Sequence, residues 1–329
     1  MKAAVYKSYG PPEVVQITER PCPEPKKNEV LVKVIATTVN RNDCGFRRPE
    51  YPWIIRPLHG LFRPRLEILG TEFSGIVEKC GADVKSIHPG DEIFGITGNR
   101  FGCHAEYLTI PETGAFSLKP KHLKHQEAVS LLDGPWLAHA IITSLDIQKG
   151  KRILIYGASG SIGSACVELA KAWGLHVTAV TQEKHFDRVK TLGADATYLV
   201  EQPDWKDPSQ VYDNIVDAVG KLRFNDCRKN LLKSGRWIST DFGFQNEILW
   251  RSVKSLLGAR PRVKLAVPFL KKETIQLFAR MSEQNELKPL VDSIFPLEQI
   301  SEAYRYVEQE SKFGSVVLLI NHPTKTLPP

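Results

Sequence analysis

The spacing of apolar residues divides the chain into two parts of different character. Residues 1–121 contain short apolar runs separated by turn residues, and residues 30–35 form the clearest strand among them. Turn signals such as Pro-Gly-Asp at residues 89–91 end these runs. This pattern predicts a β-rich unit at the N-terminal end of the chain.

From residue 122 onwards, helix-like and strand-like segments alternate. Residues 122–145 have helical spacing, and residues 152–156 form a continuous apolar run typical of a buried parallel strand. We predict further helices over 161–172, 184–192, 222–232 and 250–257, and further strands over 176–181, 196–200, 213–219, 236–241 and 263–267. The alternation favours an α/β fold with a doubly wound parallel sheet, the Rossmann arrangement.

The end of the chain departs from this alternation. Helices are predicted over 271–284 and 297–308, and the last apolar segment, 315–320, reads as a strand without a partner in the α/β domain. We expect this strand to return to the β-rich unit. The first domain would then be discontinuous, over 1–124 and 268–329, around a Rossmann domain over 125–267.

Composition and charge argue against several classes of function. The net charge of +7 suits anionic ligands such as nucleotide phosphates, but no basic stripe interleaved with aromatic residues indicates nucleic-acid binding. No apolar run approaches the roughly 20 residues of a membrane span. The N-terminus has no secretion or transit signal, and the six cysteines form no C-x-x-C pair, so we expect a cytoplasmic protein without disulfides.

The strongest motif is a glycine-rich loop at residues 156–163, Tyr-Gly-Ala-Ser-Gly-Ser-Ile-Gly. It follows a predicted strand and opens a predicted helix, which is the context of a dinucleotide-binding turn, although the spacing is G-x-x-G-x-x-G. The predicted cofactor-binding residues of this loop are Gly157, Ser159, Gly160, Ser161, Ile162 and Gly163.

The end of the second strand of this domain indicates which dinucleotide is bound. NAD enzymes carry an acid there, whereas this chain has Thr181, followed by Lys184, His185 and Arg188. These cations could meet the 2′-phosphate of NADPH, which we predict as the cofactor. Two alternatives stay open: Glu183 supplies the acid if the strand register is shifted by two, or the basic residues are a solvated helix face.

Motifs in order along nearly the whole chain resemble the medium-chain dehydrogenase/reductase superfamily. The closer similarity is to its zinc-free quinone oxidoreductase and enoyl reductase branch, which includes zeta-crystallin and reticulon-interacting relatives. The resemblance rests on residues 9–14, 29–34, 39–43, 69–75, 89–95, 192–195, 217–220 and 314–318, together with the glycine-rich loop.

The resemblance implies a GroES-like catalytic domain interrupted by the Rossmann domain, and a homodimer. It also implies that Val219, Gly220, Phe242 and Lys312 lie along the cofactor. Zinc-dependent relatives carry Cys and His where this chain has Asn40 and Thr71, and neither an amide nor a hydroxyl replaces those ligands.

No metal site is therefore predicted. Cys44, Cys103 and His104 are the remaining loose candidates for metal ligands.

These features predict transfer of hydride from NADPH to an apolar quinone, enone or enal. Asn40 is the first candidate for the polar wall near the carbonyl, Asp43 would orient neighbouring groups, and Tyr51 or water would donate the proton. The family often has Thr and Tyr where this chain has Leu137 and Val200. Two alternatives therefore remain: a non-catalytic NADPH-binding sensor, or a reductase of another carbonyl substrate.

In residues 46–68, apolar side chains alternate with arginines, and several prolines interrupt the segment. Three interpretations compete: a packed loop with a basic rim, a lid over an apolar substrate that includes Trp53, or a patch that contacts a membrane surface.

Overall fold

The protein is described from a computed structural model. It describes residues 1–50, 59–145, 147–240, 247–258, 260–265 and 269–322. Two compact units are present: Met1–Asp133, Leu270–Glu283 and Pro289–Pro329 form the first, and Gly134–Phe269 and Gln284–Lys288 form the second. The first unit extends to Asp133, beyond the boundary predicted after residue 124.

The first unit is built mainly on antiparallel strands. Its strands are β1 (Lys2–Tyr6), β2 (Val15–Glu19), β3 (Glu29–Val39), β4 (Glu72–Cys80), β5 (Glu92–Ile96), β6 (Tyr107–Pro111), β7 (Ala115–Leu118), β14 (Val291–Pro296) and β15 (Ser315–Leu319). Its helices are α1 (Arg41–Arg47), α2 (His125–Ser130), α8 (Lys272–Glu283) and α9 (Ile300–Glu308). The main sheet has the order β14-β15-β3-β4-β5-β7, with β6 also paired to β3, and β1 pairs with β2.

The last strand joins this sheet, as predicted. Strand β15 pairs antiparallel with β3, so that Val316 faces Val39 and Leu319 faces Ala36. On its other side β15 pairs in parallel with β14, a strand that the apolar pattern did not predict. The C-terminal strand thus lies inside the sheet, between β14 and the N-terminal strand β3.

The second unit is a parallel sheet. Its strands are β8 (Arg152–Tyr156), β9 (His176–Thr181), β10 (Ala196–Leu199), β11 (Tyr212–Asp217), β12 (Leu231–Ser239) and β13 (Arg262–Leu265), in the order β10-β9-β8-β11-β12-β13. Its helices are α3 (Asp133–Thr143), α4 (Ser161–Ala172), α5 (Phe186–Lys190), α6 (Phe224–Cys227) and α7 (Glu247–Leu256). The order reverses beside β8, as in a doubly wound fold.

Two predicted helices differ from the structure. Residues 122–145 form two helices, α2 and α3, because Pro135 lacks the N–H of a continuous helix and is tolerated in the first turn of a new one. The helix predicted over 222–232 ends at Cys227, and Leu231 begins β12 by pairing with Tyr212. Sheet pairing overrides the helical spacing of these residues.

Helix α1 is anchored by a buried arginine. Arg47 is 0% exposed, and its guanidinium forms an ion pair with Glu308 of α9 and donates to the carbonyl oxygen of Gly10. It also lies 4.9 Å from the ring centre of Tyr304. Arg47 therefore does not belong to a basic rim, contrary to one interpretation of residues 46–68.

The described part of residues 46–68 exposes both apolar and basic side chains. Leu61, Phe62, Arg63 and Arg65 are exposed. Trp53 and the other residues of 51–58 lie outside the described residues. No helix in the described ranges is long and apolar enough to cross a membrane.

Replacing Arg47 with alanine should lower the free energy of unfolding by about 3 kcal/mol, because it removes one partner of a buried ion pair. The matched control is Arg48→Ala. Arg48 contacts the same Glu308 at 2.9 Å but is 40% exposed, so its loss should cost less than about 1 kcal/mol. Urea unfolding measures both, and equal losses would contradict the anchoring role of Arg47.

Candidate active site

The loop between β8 and α4 requires glycine at two positions. Gly157 has a φ of +82°, and a Cβ atom there would lie 2.6 Å from Cγ1 of Val219. A Cβ on Gly163 would lie 2.1 Å from the carbonyl oxygen of Gly157. Beside Gly160, by contrast, the nearest atom would be 3.9 Å away. The fold thus needs Gly157 and Gly163, while the space beside Gly160 is open to a ligand.

The N-terminus of α4 faces this loop. Gly160 is the N-cap residue and supplies no side chain to the N–H groups of the first turn. Ser159, Ser161 and Ile162 around it are partly exposed. An anion at this end would be held by backbone N–H groups and by the positive end of the helix dipole. The loop therefore fits the pyrophosphate of a dinucleotide.

A buried acid shapes the neighbouring turn after β11. Asp217 accepts hydrogen bonds from the backbone N–H groups of Val219, Lys221 and Leu222 at 3.1–3.3 Å. Its burial raises its pKa, which these donors oppose. The turn contains Val219 and Gly220, two predicted cofactor residues, and brings Val219 against Gly157. Asp217 therefore holds this turn in place. In the sequence, it stood out only as part of the motif at residues 217–220.

Strand β9 ends at Thr181, in the predicted register. Glu183 lies two residues beyond the strand, in a short 3-10 turn with Lys184, and both are exposed. The Thr181 hydroxyl is buried and has no hydrogen-bond partner among the described residues. The strand thus ends without an acid, and the first cation beyond it, Lys184, is accessible.

A second set of polar residues lies in the first unit, at the start of α1. Asn40 caps this helix: its Oδ1 accepts from the Asp43 N–H, and Asp43 Oδ2 accepts from the Asn40 N–H, each at 3.0 Å. Asp43 Oδ1 accepts from the N–H of Gly70, also at 3.0 Å. This reciprocal cap fixes Asn40 and joins it to the chain just before Thr71.

Glu72, the first residue of β4, connects Asn40 with Thr71. Its Oε2 accepts from Asn40 Nδ2 at 3.1 Å and from Thr38 Oγ1 at 2.6 Å, and its Oε1 accepts from Thr71 Oγ1 at 2.5 Å. The two residues that stand in place of zinc ligands therefore share one carboxyl group. Sequence reasoning assigned no role to Glu72.

Burial disfavours negative charge on both carboxyl groups of this cluster. It raises the pKa of Glu72 from 4.5 to about 8, and the nearby Asp133 and Asp43 add to the rise. Burial also raises the pKa of Asp43, although His104, with Nε2 4.0 Å away, and the N–H donors of Asn40 and Gly70 oppose this. Glu72 is therefore largely protonated at neutral pH.

The remaining predicted site residues lie elsewhere. Lys312 is in the first unit, where its Nζ donates to the carbonyl oxygen of Gly314 at 2.7 Å. Its pKa is lowered by burial and raised by Asp133 and Asp292, with the lowering dominant. Tyr51 and Phe242 lie outside the described residues. Their predicted roles, like that of Lys312, stay predictions.

The remaining candidates for metal ligands, Cys44, Cys103 and His104, have other surroundings than a metal site. His104 Nε2 lies 2.8 Å from the carbonyl oxygen of Thr38. Burial raises the pKa of the Cys44 thiol to about 12 and that of Cys103 well above its usual value. No group of three or more His, Cys, Asp and Glu side chains with the placement of metal ligands occurs within the described ranges.

Family models match both units of the chain. Residues 26–120 match the alcohol dehydrogenase GroES-like domain, and residues 192–318 match a model described as zinc-binding dehydrogenase. The chain belongs to the medium-chain dehydrogenase/reductase superfamily. Within it, the similarity is to relatives named quinone oxidoreductase and NAD(P)H oxidoreductase, the branch that the ordered motifs predicted. It is thus an oxidoreductase that uses a nicotinamide cofactor and a small-molecule substrate.

Relatives align over nearly the full length. The chain is 29% identical to the chloroplastic quinone-oxidoreductase QR1 of Triphysaria versicolor, covering 97% of this chain and 98% of that protein. It is 27% identical to the chloroplastic NADPH-dependent alkenal/one oxidoreductase of Arabidopsis thaliana, covering 97% and 79%. The solved quinone oxidoreductase of Coxiella burnetii shares the fold, with a TM-score of 0.86, 24% identity and coverage of 98% and 99%.

Replacing Gly160 with alanine should weaken binding of the nicotinamide dinucleotide at least ten-fold, a loss of about 1.4 kcal/mol, since a methyl group would occupy the space open to the pyrophosphate. The free protein should lose no more than about 1 kcal/mol of stability, as expected for alanine at an N-cap. Gly45→Ala is the control, because a Cβ there meets no atom within 4 Å. Unchanged dinucleotide affinity in Gly160→Ala, measured with NADPH and with NADH, would exclude the loop as the phosphate site.

The raised pKa of Glu72 predicts a dependence of stability on pH. The folded state holds a proton that the unfolded state releases above pH 4.5, so the contribution of Glu72 is lost as the pH rises towards about 8. Glu72→Gln removes this titration. Its stability relative to the wild type should therefore increase with pH, by at most about 1.4 kcal/mol per unit. Parallel stability curves from urea unfolding would contradict a protonated Glu72.

Proposed function

We propose that this oxidoreductase uses NADPH to reduce an enone, an enal or a quinone, without zinc. One observation carries the proposal: Asn40 and Thr71 both form hydrogen bonds with the same buried carboxyl group of Glu72. They form a neutral polar cluster where zinc-dependent relatives have Cys and His ligands. An amide and a hydroxyl suit hydrogen bonding to a carbonyl oxygen and are poor ligands for zinc.

The second unit would hold the cofactor. The backbone around Gly160 and the N-terminus of α4 would bind the pyrophosphate, with Val219 and Gly220 beside it. The absence of an acid at Thr181 and the exposed Lys184 favour NADPH over NADH, because a 2′-phosphate requires a cation rather than a carboxylate. Bound NADPH supplies a hydride.

The substrate class follows from the chemistry of the first unit. A conjugated carbonyl accepts hydride at its β-carbon, and the negative charge that develops on oxygen needs only hydrogen-bond donors and a proton. The second N–H of Asn40 Nδ2 has no acceptor among the described residues. We assign this group to the substrate oxygen. The alkenal/one oxidoreductase relative, as its name states, acts on such compounds with NADPH.

Asp43 has a positioning role in this scheme. It holds the backbone of Asn40 and Gly70 at 3.0 Å and thereby fixes the direction of the Asn40 amide. A rigid donor loses little orientational freedom when the oxygen becomes charged, which favours the transition state over the ground state.

We further propose that the protein is a cytoplasmic homodimer. All six cysteines are free thiols, which supports a reducing compartment. Strand β13 is the last strand of the parallel sheet and pairs with β12 on one side. Such an edge is a suitable surface for a second copy of the chain. Size-exclusion chromatography with light scattering tests the dimer.

Turnover by metal-stripped protein tests the proposed activity. We expect NADPH oxidation with an enone and with a quinone, no oxidation with the matching saturated ketone, and no gain on adding zinc. Activity that appears only with zinc would contradict the zinc-free proposal. Absence of turnover despite tight NADPH binding would favour the non-catalytic alternative. That alternative rests on Leu137 and Val200, which stand where the family often has Thr and Tyr.

Replacing Lys184 with alanine should lower the affinity for NADPH about ten-fold, or about 1.4 kcal/mol, and leave the affinity for NADH unchanged. Lys190→Ala is the matched control, because Lys190 lies in the following helix with its Nζ 4.4 Å from the ring centre of Phe186. Fluorescence titration measures the four affinities. Equal losses for NADPH and NADH would show that Lys184 does not recognise the 2′-phosphate.

A further inference from the structure

The carboxyl group of Glu72 has two chemically different sides. Its Oε2 accepts hydrogen bonds from Thr38 and Asn40, which are buried, with 1% and 3% exposure. Its Oε1 accepts from the hydroxyl of Thr71, which is partly exposed. Glu72 itself is 1% exposed. Among its described partners, Thr71 alone joins the carboxyl group to a more accessible position.

Thr71 is held in place by the adjacent strand. Its carbonyl oxygen accepts from the backbone N–H of Thr97 at 2.7 Å and from the Thr97 hydroxyl at 3.2 Å. A threonine hydroxyl both donates and accepts. When Glu72 is ionised, Thr71 donates to its Oε1. When Glu72 carries its proton on Oε1, this O–H donates to Thr71 Oγ1 instead and leaves the Thr71 hydroxyl proton for the substrate. The geometry therefore has the two parts of a short proton relay.

We propose that Glu72 stores the proton for the reduction and that the Thr71 hydroxyl delivers it to the substrate. This inference rests on the proposed function. It makes Thr71 a second group that touches the substrate, besides Asn40, and Glu72 a positioning residue that acts through Thr71.

The charges around Glu72 favour a stored proton. Asp43 and Asp133 face the carboxyl group, and the Cys103 thiol lies near it and near Asp43. Two basic side chains near these acids contact carboxyl groups other than Glu72: His104 Nε2 is 4.0 Å from Asp43 Oδ2, and Lys312 interacts with Asp133 and Asp292. Together with burial, these neighbours place the pKa of Glu72 at about 8.

The transfer balances with one hydride and one proton. The hydride adds to the β-carbon of an enone, or to a quinone, and leaves an oxygen that carries the negative charge. The O–H bond of Thr71 breaks as its proton passes to the substrate, and the O–H bond of Glu72 breaks as its proton passes to Thr71. Glu72 remains as a carboxylate, held by Thr38 and Asn40, until water returns a proton through Thr71.

Three variants separate the relay from a structural role. Glu72→Gln keeps an acceptor for Thr38 and Asn40 and a donor for Thr71 but cannot release a proton. Thr71→Val removes the hydroxyl at nearly constant volume, and Thr71→Ser restores it. We expect the first two to lower kcat on an enone about a hundred-fold with little change in KM, and serine to retain most of the wild-type rate.

The control is Glu168, a second buried glutamate whose pKa is strongly raised. Glu168, in α4, is 6% exposed, and burial raises its pKa to about 8 as well. Glu168→Gln therefore removes a similar carboxyl group outside the relay and should leave kcat unchanged. A general effect of losing a buried acid would lower kcat in this control too, and that result would overturn the assignment.

Infrared spectroscopy of the full chain without cofactor supplies a readout independent of turnover. The C=O band of a protonated carboxyl group should disappear as the pH is raised through about 8. Part of this band should be missing in Glu72→Gln and another part in Glu168→Gln. Ionisation of Glu72 below neutral pH would overturn the proposed proton store.

The outcomes for the relay and for the proposed function are distinguishable. A wild-type protein that reduces enones or quinones, with equal turnover by Thr71→Val, would overturn the relay alone. A wild-type protein that reduces none of them would overturn the proposed function and the relay with it. Loss of turnover in Glu72→Gln and Thr71→Val, with rescue by serine, supports both.

Discussion

The hydrogen bonds accepted by the buried carboxyl group of Asp43 are the constraint on which the polar site of the first unit depends. They join the start of α1 to Gly70, 27 residues further along the chain, and so bring Asn40 beside Thr71 and Glu72. A buried carboxyl group left without donors is costly, so the cap, the loop at Gly70 and the start of β4 must form together. The same requirement fixes the Asn40 amide before any substrate arrives.

The second unit meets a different constraint, which is steric. Close approach at Gly157 and Gly163 lets β8 and α4 pack at the turn, and this packing leaves a helix N-terminus without a side-chain cap. Asp217 holds the neighbouring turn through three backbone N–H groups. One unit therefore offers donors suited to a carbonyl oxygen, and the other offers backbone donors suited to phosphate.

Sequence reasoning succeeded where a motif or an apolar run marks the element. The glycine-rich loop, the end of β9 at Thr181 and the return of β15 to the first unit were predicted from spacing and apolar pattern. It was wrong at the end of the helix predicted over 222–232, where Leu231 pairs with Tyr212 and begins a strand.

It also missed groups whose importance arises only in three dimensions. Glu72 meets Asn40 across 32 residues, and Arg47 meets Glu308 across 261. No periodicity marks such pairs.

The fate of the hydride from NADPH deuterated at C4 tests the proposed function most directly, when this NADPH is supplied to metal-free protein with an enone. We expect a saturated ketone with deuterium at the β-carbon; an alcohol with deuterium at the carbonyl carbon would contradict the proposed function.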